Sequence, residues 1–251
     1  MENFDPDLTD NLCTAEHVAM LTGAGVSKES GIPTFREAQT GLWAQYDPTE
    51  LASPQAFQQD PKLVWEWYQW RRSLVADADP NPGHFAIERM ETLIPAFTLI
   101  TQNVDGLHQR AGSSQVIELH GSIQRSKCFR ENVIVEHWPE DGHISPLCPH
   151  CGGPLRPDVV WFGESLPSDA IEASFHAAET ADVFFSVGTS GVVEPAASLP
   201  RIARSHGALL VEINPTETPL TALADFVLSG ASGKILPALI DQAWPSKGAN
   251  L

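Results

Sequence analysis

Residues Phe97 to Gly121 read FTLITQNVDGLHQRAGSSQVIELHG, two short apolar runs that each end in polar groups able to do chemistry. Phe97 to Ile100 reads as a buried strand, and Gln102, Asn103 and Asp105 follow it at the C-terminal edge, where open α/β sheets hold their ligands. The second run, Val116 to Leu119, delivers His120 and then Gly121, so an imidazole can meet an amide and carboxylate cluster across two strand ends. Taken alone, His120 also fits a structural histidine, and Asn103 and Asp105 fit turn formers bonded to their own backbone. The rest of the chain has to decide between these readings.

Upstream, Asp5 to Thr14 predicts a short amphipathic helix in which Cys13 is read as a small buried hydrophobe. His17 to Leu21 reads as the first strand and runs into Thr22-Gly23-Ala24-Gly25-Val26-Ser27. Glycines after a strand let backbone amides approach a phosphate, and a helix start behind them favours negative charge. The dinucleotide fingerprint is incomplete, because Lys28 stands where its third glycine would be. Ser30 to Arg36 then leads into an irregular stretch reaching about Pro54, which predicts a lid with Phe35 and Arg36 as its working residues. Pro61 to Ala76 has helical periodicity and sets Tyr68 and Arg71 on one face. A guanidinium beside a phenol can receive a carboxylate, although an aromatic-rich helix is equally suited to core packing. Asn81-Pro82-Gly83-His84 opens a further helix to about Leu93.

Downstream, Cys128 and the pair Cys148 and Cys151 frame a polar, turn-rich segment with the spacing of a zinc ribbon. Glu131 stands where a fourth cysteine would complete the set, leaving Glu131, His137, His143 and His150 as candidates for the remaining ligand. Asp158 to Glu164 reads as a strand-like run, residues 168–180 as a helix, Asp182 to Val187 as a strand before Gly188-Thr189-Ser190, and a helix follows from near Glu194. Ala208 to Ile213 is another strand, ending in Asn214; Asp225 to Leu228 is the last, and Gly233 to Trp244 predicts a closing helix interrupted by Pro237. Strands alternating with helices imply an α/β fold, a Rossmann-like parallel sheet with helices on both faces, plus a small zinc-binding insert. Gly188, Thr189, Ser190 and Asn214 then share an edge with Gly23, Gln102 and His120, which reads as an extended nucleotide site.

Size and composition agree. A chain of 251 residues with 42% hydrophobic content can bury a core without disulfides, and it carries no run of roughly 20 apolar residues of the kind that spans a bilayer. The acidic start lacks the basic region of a secretory signal, which predicts a cytoplasmic protein. A net charge of -17 argues against nucleic acid as a partner and favours basic protein segments.

Together these motifs resemble the sirtuin family over nearly the whole chain: Gly23 to Ser27 with Glu29 to Arg36, Thr101 to His108, Glu118 to Gly121, Phe162-Gly163-Glu164 and Gly188 to Ser190. The resemblance implies an NAD-dependent protein-lysine deacylase whose large domain is residues 1–121 with 158–251, including a cofactor loop and lid at about 22–54, and whose zinc-ribbon-like insert is residues 122–157. It implies that Gly23, Ala24, Gly25 and Ser27 hold the pyrophosphate and that Phe35 and Arg36 belong to the lid. Ile32 and Asp105 would receive the carboxamide, Asn103 would orient the nicotinamide ribose, Ser190 and Asn214 would contact the adenosine half, and Gln102, Gly188 and Thr189 would also line the cofactor site. Phe162, Gly163 and Glu164 would pair with an extended acyl-lysine peptide by strand addition. Within the family, Tyr68 and Arg71 with Ala52 are similar to the pattern of members that remove succinyl and malonyl groups.

In the implied reaction the acyl oxygen attacks the anomeric carbon as nicotinamide leaves, and His120 is the general base on a ribose hydroxyl. Asn103 and Asp105 complete the catalytic set. Cys128, Cys148 and Cys151 would hold one structural zinc. Two other readings keep the cofactor: a mono-ADP-ribosyltransferase, or a non-catalytic NAD-sensing interaction module.

Overall fold

The computed structural model describes residues 3–34, 41–139 and 142–245. The chain forms α1 (Pro6–Thr14), β1 (His17–Thr22) and α2 (Ala24–Lys28), then the short helices α3 (Pro48–Leu51) and α4 (Pro54–Gln59) ahead of α5 (Pro61–Asp77) and α6 (Pro82–Leu93). Next come β2 (Ala96–Thr101), α7 (Leu107–Ala111), β3 (Val116–Glu118), β4 (Gly121–Cys128), β5 (Leu155–Val159) and α8 (Ser168–Thr180). The chain closes with β6 (Val183–Val187), α9 (Leu199–Ser205), β7 (Leu209–Asn214), β8 (Phe226–Ser229) and α10 (Ser232–Ala243).

Helix starts follow local chemistry. Pro61 opens α5 while the Asp60 carboxylate accepts from the Leu63 N–H, and Asn81 caps α6 by accepting from the Gly83 N–H. The central strands β1, β6 and β7 are largely apolar runs because they are covered on both faces. Alternate residues of β1 divide between two cores: Val18 and Met20 pack with α1, α6 and α10, while Ala19 and Leu21 pack with α8 and α9. A third cluster joins α4 and α5 to Ile123, Val159 and Trp161, and a fourth surrounds Cys128 and Cys148.

The six-stranded sheet has the order β3-β2-β1-β6-β7-β8 with every adjacent pair parallel. Leaving aside the antiparallel pair β4–β5, this is the doubly wound order, whose switch point lies between β1 and β6. The expected α/β class and Rossmann-like sheet are therefore present. No described helix is long and apolar enough to cross a membrane.

Four local expectations are corrected. The extended run ends at Val159 rather than Glu164, because the Glu164 N–H bonds Trp161 O and Gly163 adopts φ 86°, turning the chain. Between residues 41 and 54 the expected irregular stretch instead holds a 3₁₀ turn, Gly41–Gln45, then α3 and the start of α4, the two helices capped by Asp47 and Ser53 ahead of a proline. Helix α10 runs through Pro237 without interruption, held by the buried face of Ile235, Leu236, Leu239 and Ile240. Cys13 is exposed, since Leu8 and Leu12 define the buried face of α1 and position 13 lies one residue off it.

Candidate active site at the switch point

The loops after β1 and β6 meet backbone to backbone. Gly23 N–H donates to Val187 O at 3.0 Å and Gly25 N–H to Gly188 O at 2.9 Å. A Cβ built on Gly25 would stand 2.7 Å from the Gly188 Cα, so only glycine permits this approach. The same contact brings Thr189 beside Gly23, and Asn214 holds the loop from the far side by donating to Thr189 O at 2.8 Å. Thr189 is buried and its hydroxyl pairs with Ser186, whereas Ser190 is exposed.

From the β2 side, the Asn103 amide donates to Gly23 O at 3.0 Å and to the Ser27 hydroxyl at 3.1 Å. That hydroxyl donates onward to the Asp105 carboxylate at 2.7 Å, and the Leu107 N–H caps the other carboxylate oxygen at 2.9 Å. Asn103, Ser27 and Asp105, all buried, thus form one directed chain linking the glycine loop to the β2 loop. Burial pushes the Asp105 carboxyl above its ordinary range, opposed by the bonds from Leu107 and Ser27 and by the charges of Arg110 and Arg71. Ile32 is buried beside this chain, its N–H on Ser27 O. Ala24 and Gln102 are half-buried at the same edge.

His120 follows β3 in the turn that enters β4, and its Nδ1 lies 3.0 Å from Gln102 O. A carbonyl only accepts, so Nδ1 carries the proton and Nε2 presents a lone pair. Burial holds the imidazole below its usual pKa, partly offset by the bond to Gln102. The result is a neutral base with a fixed tautomer, beside strand ends built from small and amide side chains. Phe35 and Arg36 lie outside the described residues.

On α5 the Tyr68 phenol is buried and Arg71 half-buried, with the guanidinium 5.2 Å from the Trp67 ring centroid. Burial raises Tyr68 to about 12, against the field of Arg71 and the bond from Trp161, so the phenol stays protonated at neutral pH. Ala52 is buried, and its carbonyl accepts from the Phe162 N–H at 3.0 Å, tying α3 to the 162–164 turn. Phe162 is half exposed, whereas the Glu164 carboxylate is engaged by Arg156 and by the Trp161 N–H. The turn can present Phe162 and Gly163 to a ligand; the Glu164 side chain is committed to holding the turn.

Cys128, Glu131, Cys148 and Cys151 offer ligand atoms all within 4.8 Å of one another, which selects Glu131 over His137, His143 and His150 among the described residues. Tetrahedral ligands at zinc distances stand about 3.8 Å apart, so this donor set fits one zinc ion. The Glu131 and Gly153 N–H groups point at the Cys128 and Cys151 sulfurs at 3.4 Å, contacts that would favour thiolate ligands. Sequence reading missed Trp161, treated only as part of a strand, and the cleft wall formed by Val193, Ala197 and Arg201 beside Gln102 and Thr189. The aromatic of Trp161 carried no spacing signal that separated it from core.

The family model described as Sir2 family matches residues 23–195. An "NAD-dependent protein deacylase 2" of Pyrobaculum aerophilum is 50% identical over 237 residues, covering 94% of each chain. An "NAD-dependent protein deacylase" of Aquifex aeolicus is 56% identical over 210 residues, covering 83% of this chain and 87% of its own. Among solved structures, a Sir2 homolog in complex with NAD superposes with a TM-score of 0.89 at 48% identity, covering 96% of this chain and 94% of that one. A Sir2 bound to a p53 peptide and NAD superposes at 0.82 with 32% identity, covering 94% and 97%.

Proposed function

The chain belongs to the Sir2 family and is an NAD-dependent protein deacylase; from there we propose that it removes succinyl and malonyl as well as acetyl groups from lysine, with His120 as general base. The observation that carries the catalytic assignment is the His120 Nδ1 contact to Gln102 O, which leaves Nε2 free to take a proton at the edge of the switch point.

NAD supplies the ADP-ribosyl acceptor for the acyl group, with nicotinamide as leaving group. In our reading Gly23, Ala24, Gly25 and Ser27 seat its pyrophosphate, and Ile32 with Asp105 receives the carboxamide. Gln102 and Asn103 orient the adjoining ribose, while Gly188, Thr189, Ser190 and Asn214 take the adenosine half. The support is that these groups are already joined by hydrogen bonds across four strand ends, those of β1, β2, β6 and β7, so little reorganisation is needed. Phe35 and Arg36 would cover the cofactor. His120 removes a proton from a ribose hydroxyl, and Asn103 and Asp105 keep the reacting centre in register. The peptide docks along the Phe162-Gly163-Glu164 turn, with Glu164 bracing it from within.

Residues 1–121 and 158–251 act as the cofactor-binding part, and 122–157 as an insert stabilised by zinc on Cys128, Cys148, Cys151 and Glu131. Three neighbouring thiols suit the reducing cytoplasm.

For acyl choice, Tyr68 and Arg71 lie on one helix face near the small Ala52, a neutral donor beside a cation in a buried setting. This suits a distal carboxylate, which the guanidinium binds through two charge-assisted bonds. Arg71→Met is expected to lower kcat/KM on succinyl-lysine peptide by about a hundredfold while changing acetyl-lysine removal little. Equal losses on both peptides would remove the basis for the acidic-acyl reading.

A further inference from the structure

Tyr68 does not stand alone in its pocket. The Trp161 indole Nε1–H donates to the Tyr68 phenol oxygen at 2.9 Å, across 93 positions of sequence. An indole N–H can only donate, so it takes a lone pair and fixes the lone-pair side of the phenol. A phenol O–H lies in the ring plane with two preferred orientations. With one direction filled by an incoming donor, the hydroxyl proton must take the other.

The indole is itself immobilised. The Arg156 guanidinium carbon lies 3.2 Å from the Trp161 ring centroid, and Phe57 packs on the ring with centroids 5.3 Å apart. Arg156 is buried and held by the Glu164 carboxylate and by Val159 O. The Glu164 carboxylate also accepts from the Trp161 backbone N–H at 2.8 Å. The turn expected to carry the peptide is thereby coupled through Arg156 and Trp161 to the acyl-binding phenol.

We propose that Trp161 is a positioning residue for acyl selectivity, and that its indole N–H, by occupying the Tyr68 oxygen, turns the phenol proton toward the carboxylate of a bound succinyl or malonyl group. This rests on the acidic-acyl reading above. The phenol is kept in its protonated, donating form by burial. Without the indole donor the hydroxyl spends part of its time in the other orientation, presenting a lone pair to an anion.

The test replaces the donor and little else. Trp161→Phe keeps an aromatic ring under Arg156, and 3-benzothienylalanine at position 161 keeps the full bicyclic shape while substituting sulfur for N–H, which guards against a folding defect. Either change is expected to raise KM for a succinyl-lysine peptide by about five- to tenfold with kcat nearly constant, lowering the succinyl-to-acetyl ratio of kcat/KM by the same factor. In a Tyr68→Phe background the same change should add less than twofold, because the hydroxyl it orients is gone.

If Arg71→Met collapses the succinyl-to-acetyl ratio while the benzothienylalanine protein keeps it within twofold of the parent, the positioning role is overturned and the acidic-acyl reading stands. An Arg71→Met protein that retains the ratio overturns both. A selectivity loss that persists undiminished in the Tyr68→Phe background also overturns the proposal, since it would not pass through the phenol.

Discussion

At residue scale, His120 has one ring nitrogen committed to Gln102 O, which leaves a lone pair on the other for the proposed base role, and burial holds its pKa below the usual value. A base must be neutral to act, so activity falls as pH drops through that pKa. The acid limb of kcat/KM should therefore have its midpoint below about 6.5, the ordinary imidazole value, and should vanish with turnover itself in His120→Tyr. NAD binding, followed by calorimetry, should survive that substitution. A midpoint above 6.5, or retained deacylation in His120→Tyr, would remove the imidazole from the reaction. The residue identities at strand ends were legible in sequence because each follows an apolar run directly. Their connections were not: no spacing rule announces that Asn103, Ser27 and Asp105 share one chain of bonds, or that Trp161 donates to Tyr68.

At the scale of elements, the pair β4–β5 is a two-stranded sheet, too small for independent stability on strand pairing alone. Its outer end gathers Cys128, Glu131, Cys148 and Cys151 about a small cluster with Trp65, Val135 and Leu155. A metal held there would couple to the folding of this sheet. Purified protein should carry one zinc by elemental analysis, and its removal with a chelator should lower the thermal midpoint by on the order of 10 °C. Cys151→Ser should lose the metal, whereas Glu131→Cys should keep it. Full metal loading in Cys151→Ser would contradict the assignment. Three of these ligands were legible as cysteines at ribbon spacing, but the fourth needed the fold, because a glutamate three residues after a cysteine is common in loops. Strand β5 was misjudged for a related reason. Residues 158–164 have strand composition, yet the bond from Trp161 N–H to Glu164 and the positive φ of Gly163 end the strand early.

At the scale of the whole molecule, His84 and His108 are buried with ring centroids 4.9 Å apart, where α6 and α7 meet. Burial depresses His84 to about 4, and burial with the charge of His84 depresses His108 to about 3. Both groups bind protons more readily when the chain is unfolded, near 6.5. Their contribution to stability is complete above that pH and is lost as pH falls toward 4 and then 3. Thermal midpoints measured across this range should fall steeply below pH 6, and His84→Gln should flatten the slope; an unchanged slope would exclude the pair as its source. The doubly wound sheet itself was legible from alternating apolar runs and helical stretches, since buried parallel strands leave a continuous signal. Its switch point became visible only when β1 and β6 proved to be neighbours. The account as a whole rests on that junction cleaving NAD for the sake of an acyl-lysine. The direct measurement is nicotinamide release from NAD with acetyl, succinyl and malonyl peptides, each beside its unmodified counterpart. Release that requires an acyl group, yields acyl-ADP-ribose and occurs with succinyl and malonyl as well as acetyl peptides is the expected result; release without any acyl peptide, or label from NAD transferred to protein, would contradict it.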